Sequence, residues 1–147
     1  MPTYRRILAA ADLREDGGRV VQYSGELAEA LGAELHVAHV LEPLPLVYGG
    51  DFPGILQELQ TGRRGEARSR LDEAAGAYNV PGEHRHLVTG SPATEIRRLA
   101  RTLDVDLVVV GTHRRRGLDF FMGSTSNAVL HDNGFDVLAV RLEEQDD

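Results

Sequence analysis

Cysteine is absent from this 147-residue chain, which excludes a disulfide framework, thiolate catalysis and any cysteine-based metal centre. A surplus of positive charge is also missing. Lys and Arg number 16 against 23 Asp and Glu, a formal net charge of −7. That balance argues against an extended nucleic-acid surface and against docking on anionic membranes. It is compatible with a small anionic ligand in a locally basic pocket. Long apolar runs are lacking too: the opening from Met1 to Ile7 is too short for a signal peptide, and no segment is long enough to span a membrane. There is no internal repeat and no linker. With 41% apolar and 27% charged residues, the expectation is one globular domain with its own core, not a disordered chain. The absence of cysteine suits a reducing cytoplasm, which is the expected location.

What is there alternates between two kinds of stretch. Ile7-Leu8-Ala9-Ala10-Ala11, Leu35 to Val40, the weaker His84 to Val88, Asp106 to Val110 and Phe135 to Arg141 are short apolar runs. Such runs suit strands covered on both faces. Between them lie helical patterns. Val20, Ser24, Leu27, Ala28 and Leu31 recur at helical spacing from about Gly18, and Gly32 stands where a helix-ending glycine belongs. Leu41 to Phe52 carries Pro43, Pro45, Gly49 and Gly50 and reads as a loop. Pro53 to Tyr78 reads as a helix with Ile55, Leu56, Leu59, Ala67, Leu71, Ala74, Ala75 and Tyr78 apolar, and Gly62 and Gly65 invite a break in it. Ser91 is placed to cap a helix that starts at Pro92 and buries Ile96, Leu99, Ala100 and Leu103. A last helix is expected from Ser124 to about Leu130. Glu143 to Asp147 forms an acidic tail expected to fray. The alternation predicts an α/β fold: a single three-layer domain, a five-stranded parallel sheet with helices on both faces and right-handed crossovers. Ligands of such sheets bind beyond the carboxyl ends of the strands, where strand order reverses.

The chain is organised around Val108 to Asn127. A buried strand runs into Gly111-Thr112-His113-Arg114-Arg115-Arg116-Gly117, and the stretch ends in Gly123 followed by the hydroxyl residues Ser124, Thr125 and Ser126. The glycines allow a sharp turn and close backbone approach to an anion. The first amides of a helix point outward, and its dipole favours negative charge there. The pattern therefore reads as a phosphate site. Plainer readings stand beside it: Gly111 as a tight turn, Asp12 as a helix cap, the arginine run as a solvated loop face.

These residues carry a resemblance. The chain resembles the universal stress protein family over nearly its full length, through Ile7 to Asp12, Leu35 to Val40, Gly90-Ser91-Pro92 and above all Leu107 to Leu142. The resemblance implies a Rossmann-like fold of the adenine-nucleotide alpha-hydrolase type and a cytoplasmic homodimer that pairs through the last strand, Phe135 to Arg141. Many members bind ATP or a related nucleotide, with Mg2+ accompanying ATP; others bind none. Carried over, Gly111 matches the first glycine of the ATP pattern, and Gly123 with Ser124 the last. Asp12 matches the acidic residue near the nucleoside, and Val40 a backbone position at the adenine. The implied site is Ala10, Ala11, Asp12, Val40, Gly111, Thr112, His113, Arg114, Gly123, Ser124, Thr125 and Ser126. Two departures stand out. Arg114 occupies the place of the second glycine, and the interval from it to Gly123 is one residue shorter than the pattern. A side chain at Arg114 either blocks close approach to the phosphates or covers them with a guanidinium; the sequence leaves both open.

No set of residues supplies a general base, a nucleophile and a metal clamp together, so the chain reads as a binding protein without catalytic residues, not as an enzyme. His36 and His39, three apart on a strand, face opposite sides and make no shared metal site. His84 and His86 share a face but have no carboxylate or cysteine cluster in the neighbouring sequence, and read as surface histidines. The leading function is a regulatory protein of the stress response that responds to an adenine nucleotide. The alternative is a dimeric interaction protein with a vestigial pocket. A slow ATPase or nucleotide-transfer enzyme ranks third.

Overall fold

Two arginines followed by an unbroken apolar run become the first strand, β1 (Arg6–Ala10). Alternate residues point to opposite faces of a strand, and here both faces are covered. Ile7 and Ala9 enter one half of the core, while Leu8 and the half-buried Ala10 enter the other. The computed structural model describes residues 3–12, 17–44, 53–114, 120–121 and 134–142. The expected last helix, the acidic tail and the proline- and glycine-rich loop from 45 to 52 lie outside the described residues.

The chain continues as α1 (Gly17–Leu31), β2 (Glu34–Leu41) and α2 (Pro53–Gly76). A short turn of 3-10 helix at Gly82–His84 leads into β3 (Arg85–Thr89), then α3 (Pro92–Thr102) and β4 (Leu107–Arg114). The two-residue β5 (Phe120–Phe121) and β6 (Asp136–Leu142) complete the described elements. The parallel strands lie in the order β3-β2-β1-β4-β6, and β5 pairs antiparallel with β4. The five-stranded parallel sheet expected from the alternation is therefore present. From α1 and α2, Val20, Val21, Ala28, Leu71 and Ala75 pack on one face. From α3, Ile96 and Ala100 pack on the other.

Local chemistry explains the element ends. Gly32 has φ +66°, the left-handed conformation that glycine adopts without strain, and Ala33 N–H donates to Ala28 O at 2.8 Å across the helix end. In the middle of α1, Gly25 packs against the turn that follows α2: a side-chain carbon there would lie 2.7 Å from the Tyr78 ring. Ser24 is fully buried, yet its hydroxyl is satisfied by donating to Val20 O at 2.6 Å. The stripe of α1 differs from expectation at its end. Val21 is buried, whereas Leu31 is 36% exposed, because the chain turns away at Gly32. Ser91 does sit at the cap position of α3, but its hydroxyl makes no capping bond; its carbonyl accepts from Glu95 N–H at 2.9 Å instead.

The break invited by Gly62 and Gly65 is absent. α2 runs without interruption for 24 residues, docked through its second half by Ala67, Leu71 and Ala75. Its first half is exposed, with Ile55 at 49% and Leu59 at 46%, so these two are not the core positions their spacing suggests. Pairs one helical turn apart, Arg70 with Glu66 and Arg68 with Asp72, support the middle of the helix. Both glycines are exposed, and a Cβ on either meets nothing within 4 Å. Gly62→Ala and Gly65→Ala are each expected to stabilise the protein by about 0.8–1 kcal/mol, a rise of roughly 2–4 °C in Tm. A melt followed by circular dichroism checks this; a fall in Tm for either variant would mean that the helix does break there in solution.

Candidate functional site

The strand order reverses between β1 and β4. From β1 the chain moves outward through β2 to β3, then returns to β4 on the other side. In open α/β sheets such a reversal is where a ligand crevice opens, here at the carboxyl ends of β1 and β4. β1 leads there through Ala11, 6% exposed, and the half-buried Asp12. Two bonds hold this exit. Ala11 N–H donates to Ala38 O at 2.8 Å, and Ala11 O accepts from His39 Nδ1 at 2.8 Å. A carbonyl can only accept, so Nδ1 of His39 carries the proton. His39 thus ties β2 to the residue before Asp12. From the sequence His39 is weighed only as a metal ligand; a histidine close to the carboxyl end of an apolar strand is the signal for this role. Val40 lies beside it, half-buried against the same half of the core as Ala10. Just beyond, Gly90 N–H donates to Leu41 O at 2.9 Å and closes the end of β2 to that of β3.

The other wall differs from the sequence expectation. The strand predicted to end at Val110 continues to Arg114. Gly111, Thr112 and His113 match Val140, Arg141 and Leu142 of β6 in parallel register, so Gly111 is a ladder residue and not the start of a loop. Thr112 is fully buried, and its hydroxyl donates to Val140 O at 3.4 Å. This side chain belongs to the sheet; only its backbone remains for a ligand. The reason for the difference is β6. Its alternating Val137, Leu138, Ala139 and Val140 extend the parallel ladder past the glycine.

β5 was not foreseen. β6 occupies one edge of β4 from Leu107 to His113, and a strand has two edges. β1, matched at Leu107 to Val109, and β5, matched at His113 and Arg114, therefore share the other. β5 lies in line with β1, past its carboxyl end, with Val110 to Thr112 between the two. At this end of the sheet stand the Ala10–Asp12 exit on one side and the β4–β5 pair beyond it. Gly123, Ser124, Thr125 and Ser126, the residues proposed for the phosphates, lie outside the described residues, as do residues 115–119.

At the other end of the sheet the histidines regroup. His36 is buried on β2, with Nε2 2.8 Å from Glu34 Oε2 and Nδ1 3.0 Å from His86 Nε2. Burial pushes the pKa values of both His36 and His86 below the ordinary histidine value, against the opposing hydrogen bond from Glu34 in the case of His36. The hydrogen bond from His36 lowers that of Glu34. The reading of His84 and His86 as histidines without a carboxylate is thereby corrected: Glu34 Oε1 is 4.0 Å from His84 Nε2.

Comparison with known proteins agrees with this architecture. The model of the universal stress protein family matches residues 3–141. A universal stress protein A homolog of Coxiella burnetii is 41% identical over 96% of this chain and 99% of its own. A universal stress protein of Thermus aquaticus is 34% identical, covering 94% of this chain and 99% of that one. Among solved structures, a universal stress protein in complex with cAMP superimposes with a TM-score of 0.66 at 25% identity, over 95% of this chain and 98% of that one. A universal stress protein from Lactobacillus plantarum gives a TM-score of 0.70 at 20% identity, over 96% and 100%; at that identity it speaks to the fold alone.

Proposed function

The chain belongs to the universal stress protein family, and from that premise we propose that it is a regulatory protein whose crevice between β1 and β4 takes ATP or a related adenine nucleotide. One observation carries the reading: the half-buried Asp12 stands at the strand-order reversal, where open α/β sheets bind ligands. The crevice suits a nucleoside. Ala10 and Val40 present a half-buried apolar wall to a flat base, and Asp12 can accept from ribose hydroxyls. The backbone around Gly111 and the Gly123 to Ser126 segment would meet the phosphates. Mg2+ would arrive with the phosphates, since it keeps its waters and binds chiefly through substrate oxygens. A relative of this fold holding cAMP supports the ligand class.

The protein works by binding, not by turnover: a nucleotide acts by preferring one of two conformations, and a partner reads the difference. The homodimer would present two such crevices in the cytoplasm. A second reading, a dimer that acts through protein contacts alone, is favoured by one observation. Arg114, where a second glycine would stand, lies within β4.

Asp12→Asn keeps the shape but removes the charge. A hydrogen bond to a charged group contributes about 1.5–3 kcal/mol, so the variant is expected to bind nucleotide roughly 10- to 100-fold more weakly, with an unchanged circular dichroism spectrum. Calorimetric titration of ATP and cAMP into both proteins reads this. Equal affinities would place the nucleotide elsewhere.

A further inference from the structure

The amino-terminal end of β2 and β3 carries a cluster that the nucleotide crevice does not use. We propose that Glu34, His36 and His84 form a binding site for a divalent transition-metal ion of the zinc class. One donor atom from each lies within 4.8 Å of the others. The three residues reach one another because β2 and β3 run parallel, with Ala38 matched to His86, and because the Gly82–His84 turn folds back beside β2. The His84 ring stacks on that of His36 with centroids 4.1 Å apart, and the His86 ring meets its edge with centroids 5.2 Å apart.

The cluster has features of a built site. His84 Nδ1 donates to Leu35 O at 3.2 Å. That bond fixes the ring and leaves the lone pair of its neutral form on Nε2, as metal-bound histidines are commonly held. His36 is held in a similar way by a ring instead of a carbonyl. Its Nε2 now donates to Glu34 Oε2, while Nδ1 accepts from His86 Nε2. Moving the His36 proton from Nε2 to Nδ1, and that of His86 from Nε2 to Nδ1, frees His36 Nε2 for the ion. Nδ1 of His36 then donates to His86. Neither ring loses a proton overall, so the ion enters by exchange of tautomers. His86 is a positioning residue and not a ligand.

The donor set selects the ion. Two imidazoles and one carboxylate suit Zn2+, Co2+ or Ni2+, whereas Ca2+ and Mg2+ demand oxygen ligands. Tetrahedral Zn2+ has Zn–N of about 2.0–2.1 Å, so the three donors must draw together somewhat from their present spacing. Glu34, 41% exposed, moves most freely; His84, 20% exposed, must tilt out of its stack on His36 while pivoting on its bond to Leu35 O; His36 at 6% is the fixed point. That opening also admits water as the fourth ligand. Arg6 faces the same carboxylate, with Nε 3.4 Å from Oε2; it neutralises one oxygen and leaves Oε1 toward His84. Arg68 adds positive charge on the His86 side. The site lies about 13 Å along β2 from Val40, at roughly 3.3 Å per residue, so metal and nucleotide can bind together. A bound ion would clamp the Gly82–His84 turn, which leads into the edge strand β3, to β2.

The test uses the tag-free full chain, stripped of metal, titrated with Co2+ and then Zn2+. The wild type is expected to bind one Co2+ with the strong visible absorption of a tetrahedral N/O site, lost on adding Zn2+. His84→Gln and Glu34→Gln should each weaken binding at least about tenfold, while Glu66→Gln, exposed on α2, should leave it unchanged. His84 and Glu34 are the variants of choice because both are partly exposed and removing either leaves the core intact. No tetrahedral spectrum in the wild type, or an unchanged one in His84→Gln, overturns the site.

Discussion

Gly123→Val is expected to abolish nucleotide binding, by 100-fold or more, while the protein still folds. In the sequence Gly123 is followed by Ser124, Thr125 and Ser126, whose hydroxyls and amides are proposed to take the phosphates. Anion sites of this kind rely on close backbone approach at a helix start. The isopropyl group added at Cα would stand where phosphate oxygens must come, and each good charge-assisted bond lost costs about 1.5–3 kcal/mol. Two such bonds account for the stated fold-change. The position lies outside the described residues, so the prediction rests on the family pattern and on the chemistry of the segment. Calorimetry with ATP reads the affinity, and circular dichroism reads the fold. An unchanged affinity would remove this glycine from the site.

The second large effect concerns β6. This strand forms one end of the parallel order, paired with β4 along one edge. Val137 and Leu138 are half-buried, and Ala139 is exposed. A seven-residue edge strand with apolar flanks is an aggregation hazard unless something covers it, and pairing with the same strand of a second chain would do so. Leu138→Asp is expected to break such a pair and to destabilise the single chain as well, because Leu138 also packs against the core. Ala139→Glu separates the two effects. Its side chain is exposed, so the fold should persist while the association weakens at least about tenfold, from like charges meeting across the pair. Sedimentation velocity of both variants decides: a full dimer in each would mean that the chains associate through another surface, or not through β6.

Those elements most legible in the sequence were the ones with a single physical reading. The runs at Ile7, Leu35, Asp106 and Phe135 are apolar on both faces, and only strands between two helix layers need that. Gly32 ended α1 as its left-handed backbone requires. What escaped had two readings. Gly111 can end a strand or sit in one, and only the partner β6, far along the chain, decides for the strand. Ile55 and Leu59 keep helical spacing, but spacing does not reveal that the core ends at Ala67. Gly62 and Gly65 weaken a helix locally without breaking one that is anchored farther on. The histidines were read from their chain neighbours. His36 and His86 meet across 50 positions, a separation that only the β2–β3 register closes. At the carboxyl ends of the strands, the exit of β1 toward Asp12 was legible because an apolar run gives way there to a charge, whereas the extension of β4 past Gly111 and its pairing with β5 were not.

The proposed function depends on the crevice between β1 and β4 taking an adenine nucleotide. The decisive experiment is calorimetric titration of ATP into nucleotide-free protein. Saturable binding of one ATP per chain is expected, competed by cAMP or another adenine nucleotide and weakened by Asp12→Asn. No heat of binding, together with no competition by any adenine nucleotide, would overturn the nucleotide reading and leave the one in which the chain acts through protein contacts alone.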